Sequence, residues 1–256
     1  MKIFISTYKQ DFCWLEYLLK SLEKYAKGFS GITIVCDFDG ERIPKKTLEF
    51  VKTIPLDVVY VDPPQAKKFN VEGVNRSGYF WQQWIKLRWF DYCDDDSCMQ
   101  IDSDCILKRE ITPDHFKNER GQWYWNYRPW SSMSQTSWKP YTEKALGIKN
   151  LINQGMMDRM FLLTRDTTKK LLKHWGSQYG LEEMTWDYIY TNELKYSEYC
   201  MYGAFIELIE KPENYEIRVY ETQKEYGKIS EKFSTKKRSY DGLTEKIIKE
   251  YEKYST

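Results

Sequence analysis

The sequence lacks the patterns of a zinc site and of a membrane span. Its six cysteines form no CxxC pair and it has two histidines, which argues against a zinc site. The longest apolar runs are far too short to cross a bilayer. The N-terminus runs straight into the strand-like MKIFIS rather than a signal peptide. We therefore expect a cytoplasmic protein with reduced thiols and no membrane span, in the host cytoplasm if a phage encodes it.

Aromatic residues and an uneven charge distribution stand out instead. Aromatic side chains make up 17%, with ten Trp and twenty-one Tyr. The net charge is +1, yet residues 105–180 hold thirteen Lys/Arg against six Asp/Glu, while residues 181–221 hold three against ten. Such blocks suit a polyanionic partner, or they are two solvated faces.

The first third of the chain alternates strand and helix patterns. Residues 2–6, 31–40 and 56–62 have the apolar, β-branched character of strands, and helical patterns occupy 12–25 and 45–53. This order predicts an α/β fold with a parallel sheet and crossover helices.

The rest of the chain is less regular. Residues 78–93 read as a helix, and helical spacing recurs in 151–164, 167–175 and 182–194. Between them, Gln122–Trp138 is rich in aromatic and polar residues and is predicted to be a loop.

The segment QIDSDCIL is the motif with clear chemistry. Asp102 and Asp104 follow an apolar strand, and in an extended chain residues i and i+2 point the same way. Two such carboxylates repel each other and favour a cation between them. A hard divalent ion, Mn²⁺ or Mg²⁺, meets that need and leaves positions for phosphate oxygens. The alternative is an ordinary turn.

These parts together resemble a glycosyltransferase of the GT-A fold, close to bacterial and phage glycosyltransferase-like families. The resemblance covers roughly residues 1–210 and rests on the order of five features. They are a first strand ending in Ser6-Thr7-Tyr8, a second ending in an acidic turn, GYFWQQWIKL, IDSD and SEYCMYGAF.

The resemblance implies a Rossmann-like, mostly parallel sheet flanked by helices, with a metal at the DxD motif. It divides the chain into one GT-A domain, 1–221, and a Lys/Glu-rich helical C-terminal extension, 222–256. Within the domain, 1–104 would bind the nucleotide and 105–221 the acceptor.

By the same resemblance, six residues would line the donor site, and uridine diphosphate is the expected nucleotide. Thr7 and Tyr8 would contact the base, and Asp37 would accept a hydrogen bond from it. Gln83 and Lys86 would face the donor, with Lys86 or Arg76 offsetting diphosphate charge. Turn chemistry explains Asp37 equally well, and a solvated helix face explains Gln83 and Lys86.

The acidic residues include candidates for a catalytic base, whereas the two histidines supply no third metal ligand. Glu198 and Asp187 lie among aromatic residues, where an apolar setting would raise the pKa toward that of a general base. Buried acids paired with tyrosine hydroxyls are the alternative. His115 and His174 match no ligand position, so the metal would rely on two aspartates, phosphate and water.

Two acceptors are considered. A hydroxymethylated cytosine in phage-type DNA is slightly favoured, because the basic stretch suits phosphates and aromatic rings suit a flipped base. A cell-surface glycan is the alternative, and a non-catalytic nucleotide-sugar-binding module is a third reading. The candidate acceptor-binding residues are Trp123, Trp125, Arg128, Trp130, Asp158 and Tyr202.

Overall fold

The computed structural model describes most of the chain. The described residues are 1–62, 70–71, 74–75, 77–129, 138–149, 154–155, 160–219, 234–236, 248–249 and 252. The strands in these ranges are β1 Lys2–Thr7, β2 Gly31–Asp37, β3 Leu56–Val61, β4 Asn70–Val71, β5 Val74–Asn75, β6 Ser97–Ile101, β7 Cys105–Leu107, β8 Trp123–Pro129, β9 Gln154–Gly155, β10 Met160–Thr164, β11 Tyr215–Val219 and β12 Ser234–Lys236. The helices are α1 Phe12–Tyr25, α2 Lys45–Leu48, α3 Ser77–Leu87, α4 Trp138–Leu146, α5 Arg165–Ser177, α6 Trp186–Thr191 and α7 Glu198–Phe205. A π-helical turn, Ile206–Glu210, continues α7.

A five-stranded, mostly parallel sheet forms the centre of the fold. Its strand order is β10-β6-β1-β2-β3. Strands β6, β1, β2 and β3 run parallel, and β10 is antiparallel to β6. The expected α/β class with a mostly parallel sheet flanked by helices is therefore confirmed.

Both faces of this sheet are covered. Alternate residues of each strand point to opposite sides, and each set packs into its own core layer. Ile3 and Ile5 of β1 face a core layer formed with the leucines of α1. Phe4 and Val35 face the other layer, which contains residues of α3, α5 and α7. The sheet is thus the middle of three layers.

Two patterns in the second half were misread. Met160–Thr164, predicted to be helical, is strand β10 and every residue in it is buried. A short, fully apolar run cannot be told from a helix by periodicity. Trp123–Pro129, predicted to be part of a loop, is strand β8, which pairs with β11 and β9.

The C-terminal extension is described only in part. Ser234–Lys236, within the predicted helical extension, forms strand β12, antiparallel to β7. The edge of β7 offers unpaired backbone groups that a strand can satisfy. Residues 248–249 and 252 are helical. In the ranges given above, no helix combines the length and apolar character needed to cross a bilayer.

Helix α7 lies very close to strand β8. A Cβ atom at Gly203 would come within 2.7 Å of Trp125 Nε1 and 3.2 Å of Tyr127 Cε1. The hydroxyl of Tyr127 also donates a hydrogen bond to the Gly203 carbonyl. Glycine at this position therefore sets the separation of α7 from β8.

Candidate functional site

The order in which strands are added to the sheet changes side at β1. From β1 it adds β2 and β3 on one side, and then β6 on the other. The carboxyl ends of β1 and β6 therefore border a topological switch point, where open α/β sheets bind their ligands. Thr7 ends β1, and Ile101, followed by Asp102, ends β6.

Helix α3 crosses this edge and contacts the ends of three parallel strands. Trp81 Nε1 donates to Asp37 Oδ1 at the end of β2, at 3.0 Å. Gln82 Nε2 donates to the carbonyl oxygen of Ser6 in β1, at 3.4 Å. One turn further on, α3 reaches Asp102 after β6. A single helix thus connects the edge from β2 to β6.

Lys86, Asp102, Glu198 and Tyr199 form what we term the carboxyl-edge cluster. Lys86 Nζ lies 2.7 Å from Asp102 Oδ1, 3.2 Å from Glu198 Oε1 and 3.3 Å from the Tyr199 hydroxyl. Lys86 is 6% exposed and Glu198 2% exposed, whereas the Asp102 side chain is 18% exposed. Among the three charged members of the cluster, Asp102 is therefore the one that a ligand can reach most readily.

Glu198 is placed by the start of helix α7. Ser197 caps this helix by accepting from the backbone N–H of Cys200. Gln83 Oε1 accepts from the backbone N–H of Glu198, at 3.1 Å. The sequence predicted that Gln83 and Lys86 would share a solvated face or face a donor. Both are buried, so the solvated-face alternative is wrong, and they fasten α3 to α7.

Burial and charge act in opposite directions within the cluster. Burial opposes a charge on Lys86, but the carboxylates of Asp102 and Glu198 outweigh it and raise the pKa of Lys86. Burial raises the pKa of Glu198, although the Lys86 ammonium opposes the rise. A raised pKa for Glu198 is the direction expected from the sequence.

Asp37 is a second perturbed carboxyl group at the same edge. Burial raises its pKa to about 7, against the hydrogen bond from Trp81, and the nearby charge of Asp39 adds to the rise. Asp37 therefore changes charge near neutral pH, which is frequent for groups in functional sites.

The Asp-Ser-Asp segment is a turn and not an extended strand. The backbone N–H of Cys105 donates to the carbonyl oxygen of Asp102 at 3.0 Å, and β7 begins at Cys105. Ser103 Oγ donates to Asp11 Oδ2 at 2.8 Å, and Asp104 is buried. The i and i+2 argument for aligned carboxylates therefore does not apply to Asp102 and Asp104.

The fit of this segment to a divalent cation depends on what else binds. Carboxylate oxygens suit Mg²⁺ or Mn²⁺, which retain waters and substrate phosphates. Lys86 and Tyr199 both contact Asp102 Oδ1, so the protein itself already contacts one oxygen of this carboxylate. Within the described ranges, no group of three or more His, Cys, Asp and Glu side chains is gathered to hold a metal. The residues fit a cation shared with a substrate diphosphate better than one held by the protein alone.

The expected base-binding residues lie beside one another in the sheet. Thr7 is buried and pairs in register with Cys36, the neighbour of Asp37. Tyr8 is half-buried and precedes a 3-10 turn, Lys9–Asp11. The structure therefore brings Thr7, Tyr8 and Asp37 to one edge. Arg76 lies outside the described residues.

Two of the predicted acceptor-binding rings belong to the core. Trp125 is 1% exposed, Tyr202 is fully buried, and their ring centroids lie 4.9 Å apart. Both face a strand–helix interface, so neither offers a stacking surface, and this expectation is corrected. Trp123 is half-buried under the Lys117 ammonium, 4.1 Å from its ring centroid. The backbone of Arg128 pairs with Gly155.

Five other residues complete the comparison with the sequence. Trp130 and Asp158 lie outside the described residues. Asp187 is exposed in the first turn of α6, so it lacks the apolar setting that suggested a catalytic base. His174 Nε2 contacts the carbonyl oxygen of Leu146 at 2.9 Å, and His115 Nδ1 accepts from the Thr112 backbone N–H.

Sequence reasoning missed Trp81 and Tyr199. Trp81 was one aromatic residue among several in a helix, and its N–H contact with Asp37 spans 44 positions. Tyr199 immediately follows Glu198, and its hydroxyl lies 3.4 Å from Asp102 Oδ1. Adjacency to a candidate catalytic residue was the available signal for Tyr199.

A family model matches residues 2–242 of the chain. The chain belongs to DUF6492, a family of unknown function. The match includes the whole central sheet and every residue of the carboxyl-edge cluster. No curated protein matches the chain.

Proposed function

We propose that this DUF6492 chain is a metal-dependent glycosyltransferase of the GT-A type that uses a nucleoside-diphosphate sugar, with a uridine nucleotide as first choice. The observation that supports it most is the carboxyl-edge cluster beside the switch point between β1 and β6. Removing a lysine and two carboxylates wholly or partly from water costs desolvation free energy, and their place at the edge where α/β folds bind ligands supports a functional role.

The nucleoside end of the donor is assigned to the ends of β1 and β2. Tyr8 is half-buried there and can stack on a flat base. Asp37, when ionised, can accept the imide N–H of uracil. Trp81 holds one oxygen of Asp37 at 3.0 Å and thereby fixes the direction of the other.

The diphosphate end is assigned to the segment after β6. Asp102 and Asp104 would hold Mn²⁺ or Mg²⁺, and such a cation neutralises charge on the leaving diphosphate. Lys86 would supply a further positive charge there, since its Nζ lies 2.7 Å from Asp102 Oδ1. The nucleoside and diphosphate ends are bridged by helix α3.

Glu198 is the proposed proton acceptor for the acceptor hydroxyl. Its raised pKa is the direction that a general base working near neutral pH requires. Its position at the first residue of α7, anchored by Gln83 and Lys86, holds the carboxylate at the same edge as the donor.

The acceptor proposal remains a hydroxymethylated cytosine in DNA, with a cell-surface glycan as the alternative. Support comes from basic residues rather than from the core aromatics. Lys108 directly follows β7, and Lys139 and Lys144 lie on α4. Phosphate contacts by such residues predict DNA binding that weakens steeply with salt, whereas glycan binding would depend little on salt.

The test incubates the protein and Mn²⁺ with a panel of nucleotide sugars, with and without hydroxymethylcytosine DNA. Liquid chromatography measures the nucleoside diphosphate released, and mass spectrometry of digested DNA measures any added sugar. Release that needs metal and is lost in Asp102→Asn supports the proposal. Nucleotide binding without turnover would instead identify a binding module, and undiminished turnover in EDTA would rule out the metal.

A further inference from the structure

The charge balance of the carboxyl-edge cluster bears on when a cation can bind. The Lys86 ammonium lies at ion-pair distance from both Asp102 and Glu198. Asp102 therefore already has a counter-charge from the protein itself. Repulsion between carboxylates therefore does not by itself draw a cation to Asp102.

A divalent cation approaching Asp102 would meet two opposing forces. It would be attracted by the Asp102 carboxylate and repelled by the buried ammonium next to it. Water screens the second force poorly, because Lys86 is 6% exposed. A diphosphate bound at the same edge adds negative charge and tips this balance toward the cation.

We propose that Lys86 is the resident counter-ion of Asp102 and makes divalent-cation binding depend on a bound nucleoside diphosphate. This inference rests on the proposed glycosyltransferase function. When the cation binds Asp102, Lys86 keeps Glu198 and Tyr199 as partners at 3.2 and 3.3 Å. The ammonium therefore need not become a lone buried charge. Lys86 is a positioning residue in this scheme.

The experiment measures Mn²⁺ affinity from the electron paramagnetic resonance signal of free Mn²⁺. Wild type, Lys86→Gln, Lys86→Arg and Asp102→Asn are compared, each with and without UDP. Without UDP, Lys86→Gln should bind Mn²⁺ about tenfold or more tightly than wild type, because the repelling charge is gone. Lys86→Arg keeps the charge and should resemble wild type.

Thermal unfolding provides a readout independent of activity. Ligands that bind the folded state raise the unfolding temperature. Mn²⁺ alone should raise that of Lys86→Gln markedly and that of wild type only slightly, while UDP should restore the response of wild type. Asp102→Asn should show no Mn²⁺-dependent rise, with or without UDP.

The outcomes separate this inference from the proposed function. Equal Mn²⁺ affinity in wild type and Lys86→Gln, lost in Asp102→Asn, overturns the counter-ion role and leaves the cation site standing. No Mn²⁺ binding in any variant, even with UDP, overturns both. Should Lys86→Gln fail to fold, ¹⁵N-lysine NMR of wild type decides. The Lys86 ammonium resonance must shift when Mg²⁺ and UDP bind together, and an unchanged resonance contradicts the inference.

Discussion

Two groups of buried polar side chains border helix α7, one charged and one neutral. The carboxyl-edge cluster holds an ammonium and two carboxylates at the start of α7. What we term the hydroxyl cluster, Thr164, Tyr202 and Tyr215, lies one turn further along the helix. Tyr202 accepts from the Thr164 backbone N–H at 2.9 Å and contacts the Tyr215 hydroxyl at 2.8 Å.

The difference between them supports our proposal that the carboxyl-edge cluster serves a function and the hydroxyl cluster serves the fold. In the hydroxyl cluster each hydroxyl has a partner among its neighbours, and no net charge is buried. In the carboxyl-edge cluster the folding chain must desolvate three charges, and Asp102 remains partly exposed. Hydrogen-bonded neutral groups like the hydroxyl cluster provide rigidity at a smaller desolvation free energy than buried charges do.

The largest effect on stability should come from Lys86→Gln in cation-free buffer. It leaves Asp102 and Glu198 buried without their ammonium, which should cost about 3–5 kcal/mol of unfolding free energy. Tyr202→Phe, the matched change in the hydroxyl cluster, should cost about 1–2 kcal/mol. Chemical denaturation measures both, and equal losses would contradict the distinction between the clusters.

The next effect concerns turnover. Asp102→Asn and Asp104→Ala should each lower sugar transfer about 100-fold or more while the protein stays folded. Tyr215→Phe is the control, since it alters buried hydroxyls away from the proposed donor site, and its turnover should match wild type. Steady-state rates with saturating Mn²⁺ and donor provide the measurement. Retained activity in either aspartate variant would remove the metal from the proposal.

A pH effect of intermediate size is expected at Asp37. Its carboxyl has a raised pKa of about 7, so it gains a proton as the pH falls through neutrality and can no longer accept the uracil imide N–H. UDP affinity should fall about tenfold between about pH 8 and pH 6. Asp37→Asn should remove this dependence. Calorimetry at several pH values would show it, and a parallel pH profile in the variant would assign the titration elsewhere.

The smallest effect should come from Trp81→Phe. The ring that packs against Trp186 at 4.9 Å is largely kept, and the N–H donor to Asp37 is lost. One such hydrogen bond corresponds to about 0.5–1.5 kcal/mol, so the dissociation constant of UDP should rise several-fold. Mn²⁺ affinity in the presence of saturating UDP should be unchanged, which distinguishes a local role of Trp81 from a general loosening of α3.

The sequence was sufficient for the parallel part of the sheet and for the position of the DSD segment at its carboxyl edge. Buried parallel strands read as continuous apolar runs, so β1, β2 and β6 were recognisable from composition. The DSD segment follows β6 at the carboxyl edge, as expected. Antiparallel β10 was missed because a five-residue apolar run has no period that distinguishes strand from helix.

The contacts within the site could not be predicted from the sequence. Lys86 meets Glu198 across 112 positions, and nothing local to either residue indicates that pairing. Local pattern also assigned Trp125 to a loop surface, because polar neighbours surround it in the sequence. Pairing of β8 with β11 turned that ring into the core. Long-range packing decided both cases.

The close contact at Gly203 makes the site sensitive to changes made far from it. Helix α7 rests on Trp125 and Tyr127 at Gly203, and its first residue is Glu198. A small displacement of α7 at Gly203 would therefore tilt the helix and move its first residue, Glu198. Gly203→Ala would push α7 away from β8 and withdraw the Glu198 carboxylate from Lys86, without altering a single charged group. The alignment of Glu198 with Lys86 therefore depends on position 203 having no side chain.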